Sequence, residues 1–421
     1  MVKKQVLVVV LIVLNSLFGF SQETFKAMFY NVLNFPLQQP ASRIQHLDVI
    51  LNDYLPDLFM ICELNTEAGA NTILQTMQFI NPDYQRAAFV ENTSDDDFGD
   101  QNELQNMIFY DSSKFILESQ AVVTTIYRDF NHYKLKLNTT DQNSDPIYLD
   151  VFVTHLKSSS GTANKALRKQ MVDAFVTYLS TLPNDSNILL GGDLNLYTSS
   201  EPAFQELLDL DDNNNIDLID PANRIGSWSN NTTYLDVFTQ STRQTNGLGG
   251  ASGGFDDRFD FIMTSGNMAT NPDISFVSGS YQAYGNNNNI NCYNENINST
   301  NCSGPTYSQF IRNALYNFSD HLPVTLTLET NKALLSTKPV EFKNGITIEG
   351  SNLVNNAISL KIHPKLDINS LSIYNILWQK MEEFQIEDRN FINLNVSYLS
   401  SGMYYITTDK NITKPLKFIK R

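Results

Sequence analysis

Cysteine is scarce in this chain, with three among 421 residues, so at most one disulfide can form. Cys292 and Cys302 flank a polar loop and could pair after export, or remain two thiols. In the loop-entropy model so short a loop is worth roughly 2–3 kcal/mol. Cys62 follows the apolar Leu58-Phe59-Met60-Ile61 and reads as a buried thiol, not a nucleophile. Basic residues are also in deficit, 29 Lys and Arg against 45 Asp and Glu, a formal charge of −16. Such a chain repels polyphosphate over most of its surface. A nucleic-acid partner therefore requires cations and a local basic strip in a cleft. Long apolar runs are missing as well. The run from Val6 to Phe20, broken by Asn15 and Ser16, is short for a membrane span of roughly 20 residues. With Lys3 and Lys4 before it, and Gly19 and Ser21 ahead of Gln22, residues 1–21 are expected to be a cleaved secretory signal. An uncleaved anchor is the competing reading, and no other stretch suits a bilayer.

What the chain does have is 42% hydrophobic residues and length for two domains. Short apolar segments at 24–33, 58–62, 107–110, 148–154, 187–191, 259–263 and 323–328 read as strands. Several lack alternation, as strands covered on both faces do. Helical spacing runs through Ser42–Tyr54 and Asn164–Leu179. Strands interleaved with helices mean α/β. Residues 91–100 and 282–306 read as polar loops. A linker at 331–338 separates the domain over 22–330 from short alternating strands over 339–421, a small β-sandwich.

The chemistry sits in short polar strings that end apolar runs. They are Tyr30-Asn31-Val32, Ile61-Cys62-Glu63-Leu64-Asn65, Thr154-His155-Leu156-Lys157, Gly191-Gly192-Asp193-Leu194-Asn195, Asp257-Arg258-Phe259-Asp260 and Ser319-Asp320-His321. Carboxylates, amides and two histidines are the equipment for holding a hard divalent cation against a phosphate and moving a proton. Glu63, with Asn31 and Asp320, is the candidate metal set, the ion being Mg²⁺ or Mn²⁺. Asp193 and Asn195, two apart on an extended backbone, point the same way. Asp260 and His321 suit a carboxylate–imidazole pair. His155 is a second acid/base candidate. Asp193 and His321 compete for the role of base. Lys157, Arg168, Arg243 and Arg258 are candidate phosphate contacts, although Arg258 could instead pair with Asp256 or Asp257.

From about Thr24 to Glu329 these strings resemble the endonuclease/exonuclease/phosphatase superfamily, the deoxyribonuclease-I-like fold. The resemblance implies a four-layer αββα sandwich and Mg²⁺- or Mn²⁺-dependent phosphoester cleavage. It also implies a site completed by His155, Asp193, Asn195, Asp260, Asp320 and His321 around Asn31 and Glu63. The family's nucleases support the first histidine with a second acidic residue, and no position here matches it. The C-terminal segment resembles the sorting domains of proteins exported through the type IX system of Bacteroidetes. Leu399-Ser400-Ser401-Gly402-Met403-Tyr404-Tyr405 and Lys417-Phe418-Ile419-Lys420-Arg421 carry that resemblance. An adhesion or sugar-binding β-domain is the alternative.

Asp209, Asp211, Asn213, Asn215, Asp217 and Asp220 have EF-hand-like ligand spacing for a structural Ca²⁺. Asn214 replaces the usual Gly and Asp220 the usual Glu, so a solvated acidic loop is the favoured reading. The expected whole is a secreted or cell-surface monomer, a nuclease acting on DNA or RNA, with the export machinery as its partner and no stable membrane span after processing. An exported phosphomonoesterase or sphingomyelinase-like lipid phosphodiesterase, and a decayed surface binding protein, are the alternatives. No exposed apolar hairpin for membrane contact is visible in the sequence.

Overall fold

The computed structural model describes residues 22–94, 104–335, 345–363, 366, 368–386, 391–409, 413 and 415–421. The expected signal, most of the acidic loop at 91–103 and the end of the linker lie outside the described residues. At about residue 336 the chain divides into two compact units.

The first unit is built on thirteen strands: β1 (Glu23–Phe35), β2 (Leu58–Leu64), β3 (Tyr84–Arg86), β4 (Gln105–Asp111), β5 (Phe115–Val123), β6 (Phe130–Leu137), β7 (Tyr148–His155), β8 (Ile188–Asp193), β9 (Leu218–Ile219), β10 (Asp260–Ser265), β11 (Ser275–Phe276), β12 (Gln282–Ala283) and β13 (Val324–Thr330). One sheet has the order β11-β13-β1-β2-β4-β3, with β12 also on β13. The other runs β5-β6-β7-β8-β10-β9. Only the pairs β1–β2 and β7–β8 are parallel. Five helices flank the sheets: α1 (Ile44–Tyr54), α2 (Glu67–Ile80), α3 (Thr162–Leu179), α4 (Pro202–Leu207) and α5 (Gln309–Phe318).

The sheets pack face to face. Gly191 of β8 lies against β1 and β2, and a Cβ there would meet Met60 Sδ at 2.8 Å and Phe29 Cβ at 3.2 Å. The missing side chain is what allows this approach. On the outer side of the second sheet, Phe130 stacks on Phe175 of α3 at 4.4 Å, and Phe152 meets Phe175 edge-on at 5.0 Å. On the outer side of the first, Tyr30 and Phe35 meet Phe318 of α5 at 5.3 and 6.2 Å. Helix, sheet, sheet and helix make the αββα layering. Truncating a side chain such as Phe175 to alanine would cost about 3–5 kcal/mol.

The sequence reading omits α2 and α5, although Ile73, Met77 and Ile80 in the one and Ile311, Leu315 and Phe318 in the other recur at helical spacing. Each is started by a side-chain cap that a hydrophobic pattern does not register. Thr66 accepts from the Gly69 N–H at 3.1 Å, and Ser308 from the Ile311 N–H at 3.3 Å. Such caps are typically worth about 1 kcal/mol. Strands β5 and β6 are likewise missing from the sequence reading: Glu118, Ser119 and Gln120 interrupt β5, and Asn131, His132, Lys134 and Lys136 are interspersed along β6.

The second unit holds β14 (Ile346–Glu349), β15 (Leu353–Val354), β16 (Ala357–Ile362), β17 (Ser370–Asn375), β18 (Lys380–Gln385), β19 (Phe391–Asn395), β20 (Gly402–Thr408) and β21 (Leu416–Lys420). They form sheets β14-β16-β19 and β15-β21-β20-β17-β18. Ile346, Leu360 and Ile362 of the first sheet share one core with Leu371, Ile373 and Phe418 of the second. No helix among the described residues is long and apolar enough to cross a membrane.

Candidate active site

Strand register sets the floor of the site. His155 ends β7, Asp193 ends β8 and Asp260 begins β10, and the three stand abreast as directly paired positions. Asp193 Oδ2 lies 3.4 Å from His155 Nε2 and 3.7 Å from His321 Nε2. Asp260 is fully buried, with Oδ2 2.7 Å from His321 Nδ1. That contact fixes the tautomer and leaves Nε2 of His321 facing the site.

The first sheet supplies the facing wall. Asn31 of β1 donates through Nδ2 to Glu63 Oε1 at 2.9 Å and to Asp193 Oδ2 at 3.1 Å. Its oxygen accepts the Leu33 N–H at 2.9 Å and retains a second lone pair. Glu63 ends β2 with a left-handed φ of 60°, and its Oε2 accepts the Asn34 N–H at 3.0 Å. Left-handed geometry is costly for a residue with a Cβ and clusters at functional positions. Asp320 Oδ2 accepts from the Ala251 N–H at 2.6 Å and from Gln240 Nε2 at 3.2 Å. These groups surround a cavity of about 350 Å³.

Asn195 lines that cavity too, but not by strand alternation. It lies past the end of β8 with φ 50°, and its side chain donates to Leu156 O at 3.2 Å. The extended-backbone argument therefore fails, and a left-handed turn brings Asp193 and Asn195 together instead.

Burial splits the ionisable groups. Burial chiefly, with Asp260 and Glu63 repelling and His321 opposing, pushes Asp193 up to about 7. Burial and then Asp320 raise Glu63. Burial, and then the charges of Arg128, His321 and Lys157, hold His155 well below the usual imidazole value. Burial works against the His321 imidazolium, but Asp260, Asp320 and Asp193 outweigh it and hold His321 well above that value. The two imidazoles, both within 4 Å of Asp193 Oδ2, are thus shifted in opposite directions by their surroundings.

The candidate phosphate contacts are corrected by their surroundings. Arg168, Arg243 and Arg258 have no exposed surface. Arg168 pairs with Glu201 at 2.7 Å and donates to Lys157 O and Ser159 O. Arg243 donates to Tyr316 O and Gly249 O. Arg258 forks onto both oxygens of Asp220 at 2.8 Å, not onto Asp256 or Asp257. All three are interior clamps, sealed from substrate. Lys157 is half-exposed, lies over the Tyr127 ring at 5.2 Å and does not line the cavity. The cation that does is Arg128, buried between the Tyr127 ring and the carbonyls of His155 and Leu156. No motif points to Arg128, nor to Gln240, whose Nε2 lies 2.5 Å from His321 Nε2.

The calcium spacing is not realised as a ligand set. Asp209 Oδ1 caps the Asn213 and Asn214 N–H groups, and Asp220 is committed to Arg258. Cys292 and Cys302 are disulfide-bonded, and Cys62 is buried with its thiol raised by burial and then by Asp193.

A divalent cation fits the cavity. Ligand atoms of Glu63, His155 and Asp193 lie within 4.8 Å of one another, as do those of Asp193, Asp260 and His321. Asp320 Oδ1 and His155 Nδ1 are buried without a partner. Four carboxylates converge with little compensating charge, and oxygen-rich anionic sites of this kind suit hard cations.

Residues 352–421 match the family model described as "Secretion system C-terminal sorting domain". No curated protein matches the chain in sequence. Among solved structures, the human Nocturnin catalytic domain with bound sulfate is similar at 13% identity, covering 73% of this chain and 97% of that one, with a TM-score of 0.44. D. rerio TDP2 complexed with a single-stranded DNA product is similar at 14%, covering 73% and 100%, at 0.45. So is an endonuclease/exonuclease/phosphatase family protein from Bacteroides thetaiotaomicron at 14%, covering 74% and 99%, at 0.45. The chain thus ends in a secretion-system sorting domain, and over about three quarters of its length it is similar to structures that include proteins of the endonuclease/exonuclease/phosphatase family.

Proposed function

We propose that the first unit is a divalent-metal-dependent phosphodiesterase that hydrolyses nucleic acid outside the cell, and that the second is its export address. The observation that carries the reading is the convergence of His155 Nε2 and His321 Nε2 on Asp193 Oδ2, with Asp260 behind His321 and Asn31 linking Asp193 to Glu63. In-line displacement at phosphorus needs a proton taken on one side and given on the other. Groups whose surroundings push their pKa values apart are the natural acid and base. In this reading His155, whose basicity burial lowers, and His321, whose basicity Asp260 raises, are the two proton-transfer groups, one on each side of the phosphorus. Asp193 lies within reach of both rings and orients the attacking water. Asn31 and Asn195 orient the phosphate by their amides. Bound Mg²⁺ or Mn²⁺, held by Glu63 and Asp320, would neutralise phosphate charge and lower the pKa of a bound water.

The test is a panel of DNA, RNA, sphingomyelin and phosphomonoesters with Mg²⁺, Mn²⁺ or EDTA. Cleavage of DNA or RNA with metal, and none in EDTA, is expected. Preference for sphingomyelin would overturn the nucleic-acid assignment. A phosphomonoesterase is the second reading, favoured by Arg128 being the one Lys or Arg that lines the cavity among the described residues. Mass spectrometry of the extracellular protein tests export. Loss of residues 1–21 and of the segment from about 338 is expected, whereas a mature form ending at Arg421 would favour a binding module.

A further inference from the structure

Tyr197 comes two residues after Asn195 and lines the catalytic cavity half-exposed. Its placement is over-determined. The Tyr197 N–H donates to Glu201 Oε1 at 3.0 Å. The other oxygen of the buried Glu201 accepts Arg168 Nε and Nη2 at 3.0 and 2.7 Å. The Arg168 guanidinium carbon stands 5.8 Å from the Tyr197 ring centroid. Phe259, which lines the same cavity, meets that ring nearly edge-on, with centroids 5.0 Å apart and planes at 70°. A rigid aromatic face is thus presented beside amides, carboxylates and imidazoles. Phosphate is recognised by charge and hydrogen bonds and has no use for such a face. A planar ring carried next to the phosphate does.

We propose that Tyr197 is a stacking platform for the nucleobase flanking the scissile phosphate, and so a specificity-determining residue of this site. The proposal rests on the phosphodiesterase reading above and narrows its substrate to nucleotide-bearing diesters. A quaternary ammonium, as on a choline lipid, is the other guest of aromatic faces. A quaternary ammonium calls for a cage of several aromatic faces, whereas the half-exposed Tyr197 beside the buried Phe259 offers a single face, which suits a flat base. Tyr offers large contact area with little side-chain freedom to lose, and Glu201 and Phe259 remove most of that freedom in advance.

The experiment uses the full-length protein and DNA and RNA oligonucleotides with one cleavable phosphodiester among methylphosphonate links. Each has abasic counterparts on either flank of that link. Wild type should lose roughly ten- to a hundredfold in kcat/KM when the base on one flank is removed. Tyr197→Ala should lose a similar factor on the base-bearing substrate and nothing further on the abasic one. Tyr197→Phe, which keeps the ring, should stay within about threefold of wild type. A thermal melt near that of wild type for Tyr197→Ala confirms the fold. Equal losses for Tyr197→Ala on base-bearing and abasic substrates would overturn the platform and leave a merely structural tyrosine. If wild type cleaves neither oligonucleotide yet hydrolyses sphingomyelin, the nucleic-acid reading itself is overturned.

Discussion

The floor of the cavity and its rim are made differently. The floor is a row of strand ends: His155, Asp193 and Asp260 abreast on adjacent strands, faced by Asn31 and Glu63 from the other sheet. Strand pairing sets its backbone positions. The rim consists of loops, among them Ser158–Ser159, Tyr197 and Gly250–Ala251. Loops have no ladder, so interior arginines gather their carbonyls instead. Arg168 holds Lys157 O and Ser159 O, and Arg243 holds Gly249 O. A guanidinium offers five donors in a rigid fork, which suits it to this task as well as to phosphate. The same residue type therefore means substrate at one place and scaffold at another, and burial decides which.

The largest expected effect tests the scaffold side of that comparison. Arg168→Ala would leave Glu201 buried and unpaired, and breaking a buried pair costs about 3–5 kcal/mol. Urea denaturation should show that loss. Unchanged stability with weakened substrate affinity would return Arg168 to the substrate-binding set.

The floor is tested by Glu63→Gln. It removes charge from a site that suits a hard cation and should lower turnover at least about a hundredfold, near 2.7 kcal/mol of transition-state stabilisation. Excess Mg²⁺ or Mn²⁺ should recover part of it, while the thermal melt stays near that of wild type. Full activity of this variant in EDTA would remove Glu63 from any metal role.

The floor was legible in the sequence for the reason that makes it rigid. His155 and Asp193 end apolar strands, Glu63 comes one residue before the end of another and Asp260 opens a fourth, so a polar group at the edge of an apolar run announces both the strand and the group it carries. The C-terminal β-unit was legible from its alternating segments, whereas the pairing of strands into two sheets was given only by the family resemblance. The rim was not. Arg128 sits between β5 and β6, neither of which the pattern announces, and Gln240 acts through one amide from an irregular segment. Gly250 reaches the cavity because φ is 75° and a Cβ there would strike the Asp320 carboxylate at 2.5 Å. Nothing in a run of glycines says which carboxylate it will lie against. The buried arginines misled for a related reason. Sequence gives their charge, but only packing gives the Glu201 and Asp220 that consume it.

A smaller effect separates orientation from chemistry within the floor. Asp260→Asn keeps the shape of the contact to His321 Nδ1 but removes the charge that stabilises its imidazolium. His321→Ala removes the ring. The first should cost roughly tenfold in turnover and the second roughly a hundredfold or more. Equal losses would mean that the charge of Asp260, and not the placement of the ring, is what the reaction needs.

The smallest expected effect is none at all, and it concerns the acidic loop at Asp209–Asp220. Ligand spacing there suits Ca²⁺, but a chelating loop must turn its carboxylates toward one point. Asp209 instead satisfies the backbone N–H groups of Asn213 and Asn214, while Asp211 accepts from the Asn213 side chain. Asp220 is drawn inward by Arg258, whose guanidinium is stacked at 4.1 Å on Phe261 and is held above its usual pKa, Asp220 outweighing the burial penalty. Losing the twelfth position to an ion pair takes the bidentate ligand from the loop. A ligand that binds the folded state raises its stability in proportion to ln(1 + [L]/Kd), so millimolar Ca²⁺ acting on a real site of micromolar affinity would add roughly 4 kcal/mol. The melting temperature should instead be the same in Ca²⁺ and in EGTA, and Asp211→Ala should melt with wild type. Asp220→Ala should be strongly destabilised in both buffers alike. A Ca²⁺-dependent rise that Asp211→Ala abolishes would show that the ion competes with Arg258 for Asp220, and the loop would then be a metal site after all.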